Sequence, residues 1–427
     1  MKTALIIGGG LSGLSTAIHL IKKNITPVII EASPKAGGRA SSHFDKAFSC
    51  ELDNGQHILM GCYFNALEFL HMIGASENCI YQDNLHADFV DAQGKAIPLD
   101  AGNLFYPFNT LNALLQYEAV PIFRRLHCAM FFVKCIMLGR GENPKGKTVA
   151  DWLTLNGEGG EIQKALWDFL SIGALNTSPD KADAELFGNM LRQIFLRGNA
   201  AQTIILPRYD LSKTFCEPAE EYIKEHDGEI LYGERLLSIE HSNGTVKAVV
   251  SNKQRYVDFS SVVLALPPQS LQNIEGLPDA LRVAASGVSY SSILTLHIQI
   301  KTNNLSRPFY GLIDSPVHWV FNHGDYITTV MSNADEYLHM GDEELYGLTK
   351  GELKKYLGIS SDEMGVCKII KEKKATFVPT LEQLAKRPAL TTELSNLFLA
   401  GDWAQNGLPA TIEGAILNGK IAAGKID

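Results

Sequence analysis

Paired cysteines are missing from this chain. The seven that occur (Cys50, Cys62, Cys79, Cys128, Cys135, Cys216 and Cys367) are odd in number, scattered, and never spaced Cys-x-x-Cys. Such a set offers neither a zinc site nor a disulfide framework and is expected of reduced thiols in a cytoplasmic protein, so no metal is expected. No apolar run reaches the roughly 20 residues that span a bilayer. Lys2 leads at once into a strand-like run and a glycine turn, so no secretory signal is expected. Positive charge is in deficit: 38 Lys and Arg against 47 Asp and Glu leave a formal net charge of −9, which argues against nucleic acid as a partner. Internal repeats and low-complexity linkers are absent too. What is present is length and apolar content, 427 residues at 45% hydrophobic, enough for two domains with substantial cores.

Thr3 to Ile7 is a short apolar run of strand character, and Leu11 to Lys23 repeats Leu14, Ala17, Ile18 and Ile21 at helical spacing. Gly8-Gly9-Gly10-Leu11-Ser12-Gly13 therefore falls where a strand turns into a helix. Gly8 permits the tight turn, Gly10 lets backbone approach a phosphate, and Gly13 lets the helix lie close to the sheet, with helix N-terminal amides facing the anion. A second strand, Pro27 to Ile30, ends in Glu31, at about the distance where a dinucleotide site needs an acid for the ribose hydroxyls. Ala32 follows it among the expected cofactor contacts. Gly37-Gly38-Arg39 comes next, and an arginine beside two glycines offers a phosphate both amides and a fixed positive fork.

The other end of the chain matches this beginning. Leu397 to Ala400 reads as a buried strand running into Gly401-Asp402-Trp403, and Asp402 is placed to accept hydrogen bonds from ribitol hydroxyls or to hold amides near the pyrophosphate. Gly407-Leu408-Pro409-Ala410-Thr411 then leads into a helix, with Pro409 expected in its first turn. Amides at that helix N-terminus suit the edge of a flavin where negative charge gathers on reduction. One end holds a pyrophosphate and the other holds something attached to the same nucleotide, so the expected cofactor is a flavin dinucleotide.

Between the ends, residues 85 to 200 read as mostly helical. Strands return from 229 to 251, with Asn243-Gly244 as a hairpin turn, and a buried strand, Ser261 to Leu266, leaves its sheet at Pro267-Pro268. The expected fold is α/β: a discontinuous Rossmann-type domain (1–80, 205–268 and 390–427, with Leu236 among its cofactor contacts) interleaved with an α+β substrate domain (81–204 and 269–389).

Several blocks resemble a known family. Gly37-Gly38-Arg39 is similar to the second glycine pair of FAD enzymes of the amine oxidase and phytoene desaturase superfamily. Asp53-Asn54-Gly55-Gln56-His57, Leu166-Trp167, Ala174-Leu175-Asn176-Thr177, Leu206-Pro207-Arg208, His318-Trp319-Val320-Phe321, Glu372 to Phe377 and the stretch from Ala400 to Ala415 resemble the hydroxysqualene dehydroxylases nearly end to end. Lys374 departs from the arginine more usual there; if the position contacts an anion, bidentate binding is lost.

The resemblance implies FAD, and reductive removal of the hydroxyl of hydroxysqualene to give squalene in hopanoid or other triterpenoid synthesis. It places Gly55, Gln56 and His57 near the cofactor and makes Asp53 and His57 candidate proton donors, histidine titrating near working pH and Asp53 needing burial to raise its pKa. Asp53-Asn54-Gly55 reads equally as a hydrogen-bonded turn, and His57 as a packing residue. Trp319, Phe321 and Phe377 are candidate linings for a hydrocarbon tunnel, or simply core. The electron donor is not legible from the residues. Alternatives with the same cofactor frame are a carotenoid desaturase or an amine oxidase; a third is a non-catalytic prenyl-lipid escort, which the intact nucleotide motifs oppose. Finally, residues 120–140 carry basic residues beside a Phe/Met/Leu face, suited either to lie in a membrane interface through Phe131 and Phe132 or to cover the core. A peripheral contact at the inner face of the cytoplasmic membrane is the corresponding expectation.

Overall fold

A computed structural model of the chain describes residues 2–427. Five parallel strands form the nucleotide-binding sheet in the spatial order Glu229–Tyr232, Ile25–Glu31, Lys2–Ile7, Ser261–Leu264, Leu397–Leu399. Ala4 to Ile7 and Ser261 to Leu264 are buried without alternation, as strands covered on both faces must be. The order reverses beside the opening strand, and the crevice at the carboxyl ends of such strands is where an open α/β sheet receives its ligand.

The two chain ends share one helical layer. Leu11–Ile21 packs against the terminal helix Ile412–Gly424, where the Ser15 hydroxyl donates to the Ile416 carbonyl at 2.8 Å. A Cβ on Gly419 would fall 2.3 Å from the Ser12 carbonyl, so only glycine permits this approach.

A second, seven-stranded sheet runs in the order Met364–Phe377, Tyr290–Ile300, Tyr326–Ser332, Trp319–Asn322, Phe309–Leu312, His86–Val90, Ala96–Asp100. All neighbours are antiparallel except the parallel pair formed by Phe309–Leu312 and His86–Val90. The helices between residues 108 and 202 cover one face, burying Phe131, Trp152, Trp167 and Phe187. The helix Asp342–Leu357 covers the other with Leu345, Leu353 and Tyr356.

Two expectations are corrected and one open alternative is decided. The region beginning at residue 85 opens with a hairpin, not a helix: Ile97 and Leu99 alternate inward along Ala96–Asp100, a period of two, and Asp91 closes the turn by accepting from the Gln93 and Lys95 amides at 2.9 Å each. Pro409 stays in the loop; Thr411 caps the terminal helix instead, its hydroxyl accepting from the Gly414 amide at 3.1 Å. Of the two readings of residues 120–140, Phe131 and Phe132 take the core-covering one, being 3% and 2% exposed. Among the described residues no helix is long and apolar enough to cross a membrane.

Candidate active site

The glycine turn is built as an anion cradle. Gly8 adopts φ +107° with its missing Cβ pressed 2.5 Å from the Ala265 carbonyl oxygen, and a Cβ on Gly13 would sit 1.9 Å from the Gly8 oxygen. These two glycines answer to packing. Gly10 differs: no atom lies within 4 Å of where its Cβ would stand. Gly10 is also the N-cap of Leu11–Ile21, which has no side-chain cap and no acid in its first turn, and the Ser12 hydroxyl is buried without a partner. Uncapped amides, an orphaned hydroxyl and a side-chain-free approach fit a dinucleotide pyrophosphate.

Glu31 is clamped by two backbone amides. One carboxylate oxygen accepts from the Gly9 amide at 2.6 Å and the other from the Ser33 amide at 2.7 Å, so the side chain is clamped across the glycine turn with lone pairs remaining for hydroxyls. Ala32 beside it is exposed. Gly37 bridges to Gly10, its amide donating to the Gly9 carbonyl at 2.8 Å, and a Cβ on Gly38 would come 3.5 Å from the Gly10 Cα. Leu236 is buried in the core of the nucleotide domain.

Arg39 carries this segment to the far end of the sequence. Its Nη2 meets Asp402 Oδ1 at 2.5 Å and its Nη1 donates to the Ala375 carbonyl at 2.8 Å. Asp402 is nearly buried, whereas 41% of the arginine side chain is open. Arg39 and Asp402, with Tyr290, Lys374, Phe377 and Trp403, line one small pocket. Lys374 lies on this wall with its ammonium 5.7 Å from the centre of the Tyr290 ring.

Behind Asp402 stands a residue that sequence reasoning missed. The Arg387 guanidinium donates to the carbonyls of Asp402 (2.7 Å), Leu408 (2.8 Å) and Trp403 (3.2 Å), to that of Ala404, and to Asn406 Oδ1 (2.9 Å). It stacks 4.8 Å over the Phe377 ring. Burial pulls its pKa down to about 10, partly offset by Asp402. One side chain thus moulds the whole 402–408 loop, including Leu408 and the approach to Pro409, Ala410 and Thr411. Lys386-Arg387-Pro388 reads in sequence as an ordinary surface turn, with no spacing to betray it. Glu413 was missed as well: buried, it accepts from the Asn65 side chain at 2.7 Å and the Ala66 amide at 2.8 Å, tying the terminal helix to Phe64–Met72.

The Asp53–His57 segment lies across the substrate-domain sheet. His297, enclosed in the strand Tyr290–Ile300, reaches the Asp53 carbonyl with Nε2 at 3.1 Å and Thr328 Oγ1 with Nδ1 at 2.8 Å. Burial lowers its pKa to about 4, so it is a neutral strut. The Asp53 carboxylate accepts from the Ser42 hydroxyl at 2.7 Å and the Leu211 amide at 2.8 Å. Burial raises its pKa to about 6, against the lowering effect of those two bonds. His57 directs Nδ1 at the Gly55 carbonyl, 2.7 Å away, leaving Nε2 free. Burial lowers its pKa, the Gly55 bond opposes this, and the Arg39 charge adds to the lowering.

The candidate tunnel residues separate. Trp319 packs edge-on to Phe169 at 4.2 Å and lies 5.8 Å from Phe309 and 6.4 Å from Phe321, inside the substrate-domain aromatic core. Phe377 sits apart from them, on the cofactor side beneath Arg387.

A nucleotide-type parallel sheet whose opening turn leads into an uncapped helix N-terminus, with the chain's other end brought beside it, is the architecture of a dinucleotide-binding flavoprotein. The chain belongs to the family described as flavin containing amine oxidoreductase, which its residues 11–427 match. It is similar to proteins named hydroxysqualene dehydroxylase from Zymomonas mobilis (30% identical, covering 99% of this chain and 98% of that one) and Rhodopseudomonas palustris (29%, 99% and 97%). Among solved structures its fold is similar to that of a putrescine oxidase bound to putrescine, at a TM-score of 0.75 and 15% identity, covering 100% of this chain and 98% of that one. The protein is an FAD-dependent oxidoreductase, and the glycine turn, Glu31, Arg39 and Asp402 are the residues fitted to hold the cofactor.

Proposed function

We propose that the protein reductively removes the hydroxyl of hydroxysqualene to give squalene. The observation that carries the reading is the end-to-end likeness to relatives of that name, at 27 to 30% identity, against 20 to 23% for phytoene desaturases. The carbinol carbon neighbours a double bond, so breaking its C–O bond with protonation of the departing oxygen leaves a resonance-stabilised allylic cation and water. A bound flavin in its reduced form would supply the hydride for the new C–H bond, its two electrons coming from an external donor.

The chain's residues must orient the alcohol, deliver one proton and exclude water. Each candidate keeps one atom uncommitted, Oδ2 of Asp53 and Nε2 of His57, but of the two only His57 lies within the field of Arg39 at its contact with Asp402. His57 is therefore our candidate for the group that meets the substrate oxygen. Trp319 and Phe321 back the hydrocarbon's candidate path from within the aromatic core.

The test is product analysis. Flavin-loaded protein kept reduced is given hydroxysqualene, and the oxidised protein is given phytoene or a simple amine. The reading expects squalene from the first and no product from the others; a desaturated carotenoid or an aldehyde would replace it with the corresponding oxidative activity.

A further inference from the structure

A row of apolar side chains faces outward on the helical part of the substrate domain. Along Ile122–Phe131 and the π-helical turns Phe132–Met137 that continue it, Ile122, Leu126, Met130, Lys134 and Leu138 recur every fourth residue, and all five are exposed. Phe123, 63% exposed, flanks the row with the Arg124 guanidinium 5.8 Å from its ring centre. The neighbouring helix Phe108–Gln116 packs on this one and brings a second group, Leu104, Phe105 and Phe108, with Phe105 73% exposed and its ring 5.0 Å from that of Phe108. Isolated exposed apolar residues need no explanation, but a row on one helix beside a cluster at the entry of its neighbour does.

Charge distinguishes the occupants. Within residues 101–140 the charged side chains other than histidine are Arg124, Arg125, Lys134, Arg140 and one acid, Glu118, in a protein of net charge −9. Glu118 is paired to Lys95 at 2.9 Å. A second copy seated here about a two-fold axis would set these cations against themselves. An anionic bilayer would attract this face and repel the rest of the molecule, fixing the orientation. The opposite face of the same helices, through Cys128, Phe131 and Phe132, joins the core that holds Phe321 and packs against Trp319.

We propose that this surface docks on an anionic lipid bilayer, with the apolar row in the interface and Arg124, Lys134 and Arg140 among the headgroups. The proposal adds to the dehydroxylase reading the place from which a bilayer-dissolved alcohol is taken, and its test does not depend on that reaction. The flavin-loaded protein is floated with phosphatidylcholine vesicles with and without phosphatidylglycerol. Binding is expected to require the anionic lipid, to fall about fivefold or more in Lys134→Glu, and to fall about tenfold or more in Ile122→Ser/Phe123→Ser/Met130→Ser. All four positions are exposed, and unchanged flavin content and melting temperature confirm folding. Equal binding by wild type and variants overturns the proposal. So does a dimer in sedimentation velocity that the triple variant converts to monomer, which would give the face to a second copy. Activity of the variants on detergent-dispersed hydroxysqualene reports separately on the reaction.

Discussion

Arg39 and Asp402, 363 residues apart in the chain, meet through a 2.5 Å contact between Nη2 and Oδ1. The contact joins the loop clipped to the glycine turn with the loop moulded by Arg387, and it lies on the wall of the cofactor-side cavity. Asp402→Ala should therefore leave the fold intact and weaken FAD binding by roughly tenfold or more, since a charge-assisted bond contributes about 1.5–3 kcal/mol. Flavin fluorescence titration of the apoprotein measures this, and undiminished affinity would separate the clasp from the cofactor.

Two glycines of one turn should fail differently. Gly10→Ala places its methyl in open space at the cradle, so the apoprotein should melt normally while its FAD affinity drops about tenfold or more. Gly13→Ala meets the Gly8 carbonyl and should lower the melting temperature of the apoprotein itself, at a cost of about 1–3 kcal/mol or more. Calorimetry of both apoproteins distinguishes them.

Arg387→Met would strand the carbonyls of Asp402, Trp403, Ala404 and Leu408 in a buried loop. Destabilisation of about 3 kcal/mol or more is expected in urea unfolding, with loss of flavin. Arg387→Lys should recover only part of it, because an ammonium cannot reproduce the planar fork that serves five acceptors.

Asp53 offers a pH test of its role. Its folded pKa of about 6 lies above the usual carboxylate value of 3.8, so folding favours the protonated form. That contribution is complete below about pH 4 and is lost as pH rises through 6. Asp53→Asn keeps an acceptor for Ser42 and Leu211 without the buried charge. Relative to wild type, the variant should gain stability between pH 4 and 6, reaching about 3 kcal/mol and then holding level. A flat difference across that range would mean the carboxylate is not strained by burial.

His57 has the opposite signature, in rate. Its imidazolium is disfavoured by burial, so a proton delivered from it requires pH below the ordinary histidine value. The dehydroxylation rate should rise as pH falls through that region, and His57→Gln should flatten the profile while leaving the free energy of unfolding within about 1 kcal/mol of wild type.

The nucleotide half was legible because its constraints are local: Gly8 and Gly10 sit between a strand and a helix, Gly13 lies in that helix's first turn, and Glu31 ends the next strand. The hairpin turn Asn243-Gly244 was equally plain, both residues taking positive φ of 52° and 72°. The hairpin at residues 86–100 was hidden because its strands are short and half polar, lacking a run long enough to oppose the helical reading around it. The side taken by Phe131 and Phe132 stays open in the sequence because adjacent aromatics fit either face of a helix, and only the packing of Trp152 and Trp167 against Phe131, at 5.3 Å each, decides it. Arg387, Glu413 and His297 had no local signal at all. Each acts on residues distant in sequence or on backbone carbonyls, which no spacing encodes.

The most direct test of the account is anaerobic mixing of the fully reduced, flavin-loaded protein with hydroxysqualene while flavin absorbance and squalene are followed together. The account predicts one squalene formed for each flavin reoxidised, at the same rate and slower in His57→Gln. Flavin that stays reduced while the alcohol is recovered unchanged would contradict it.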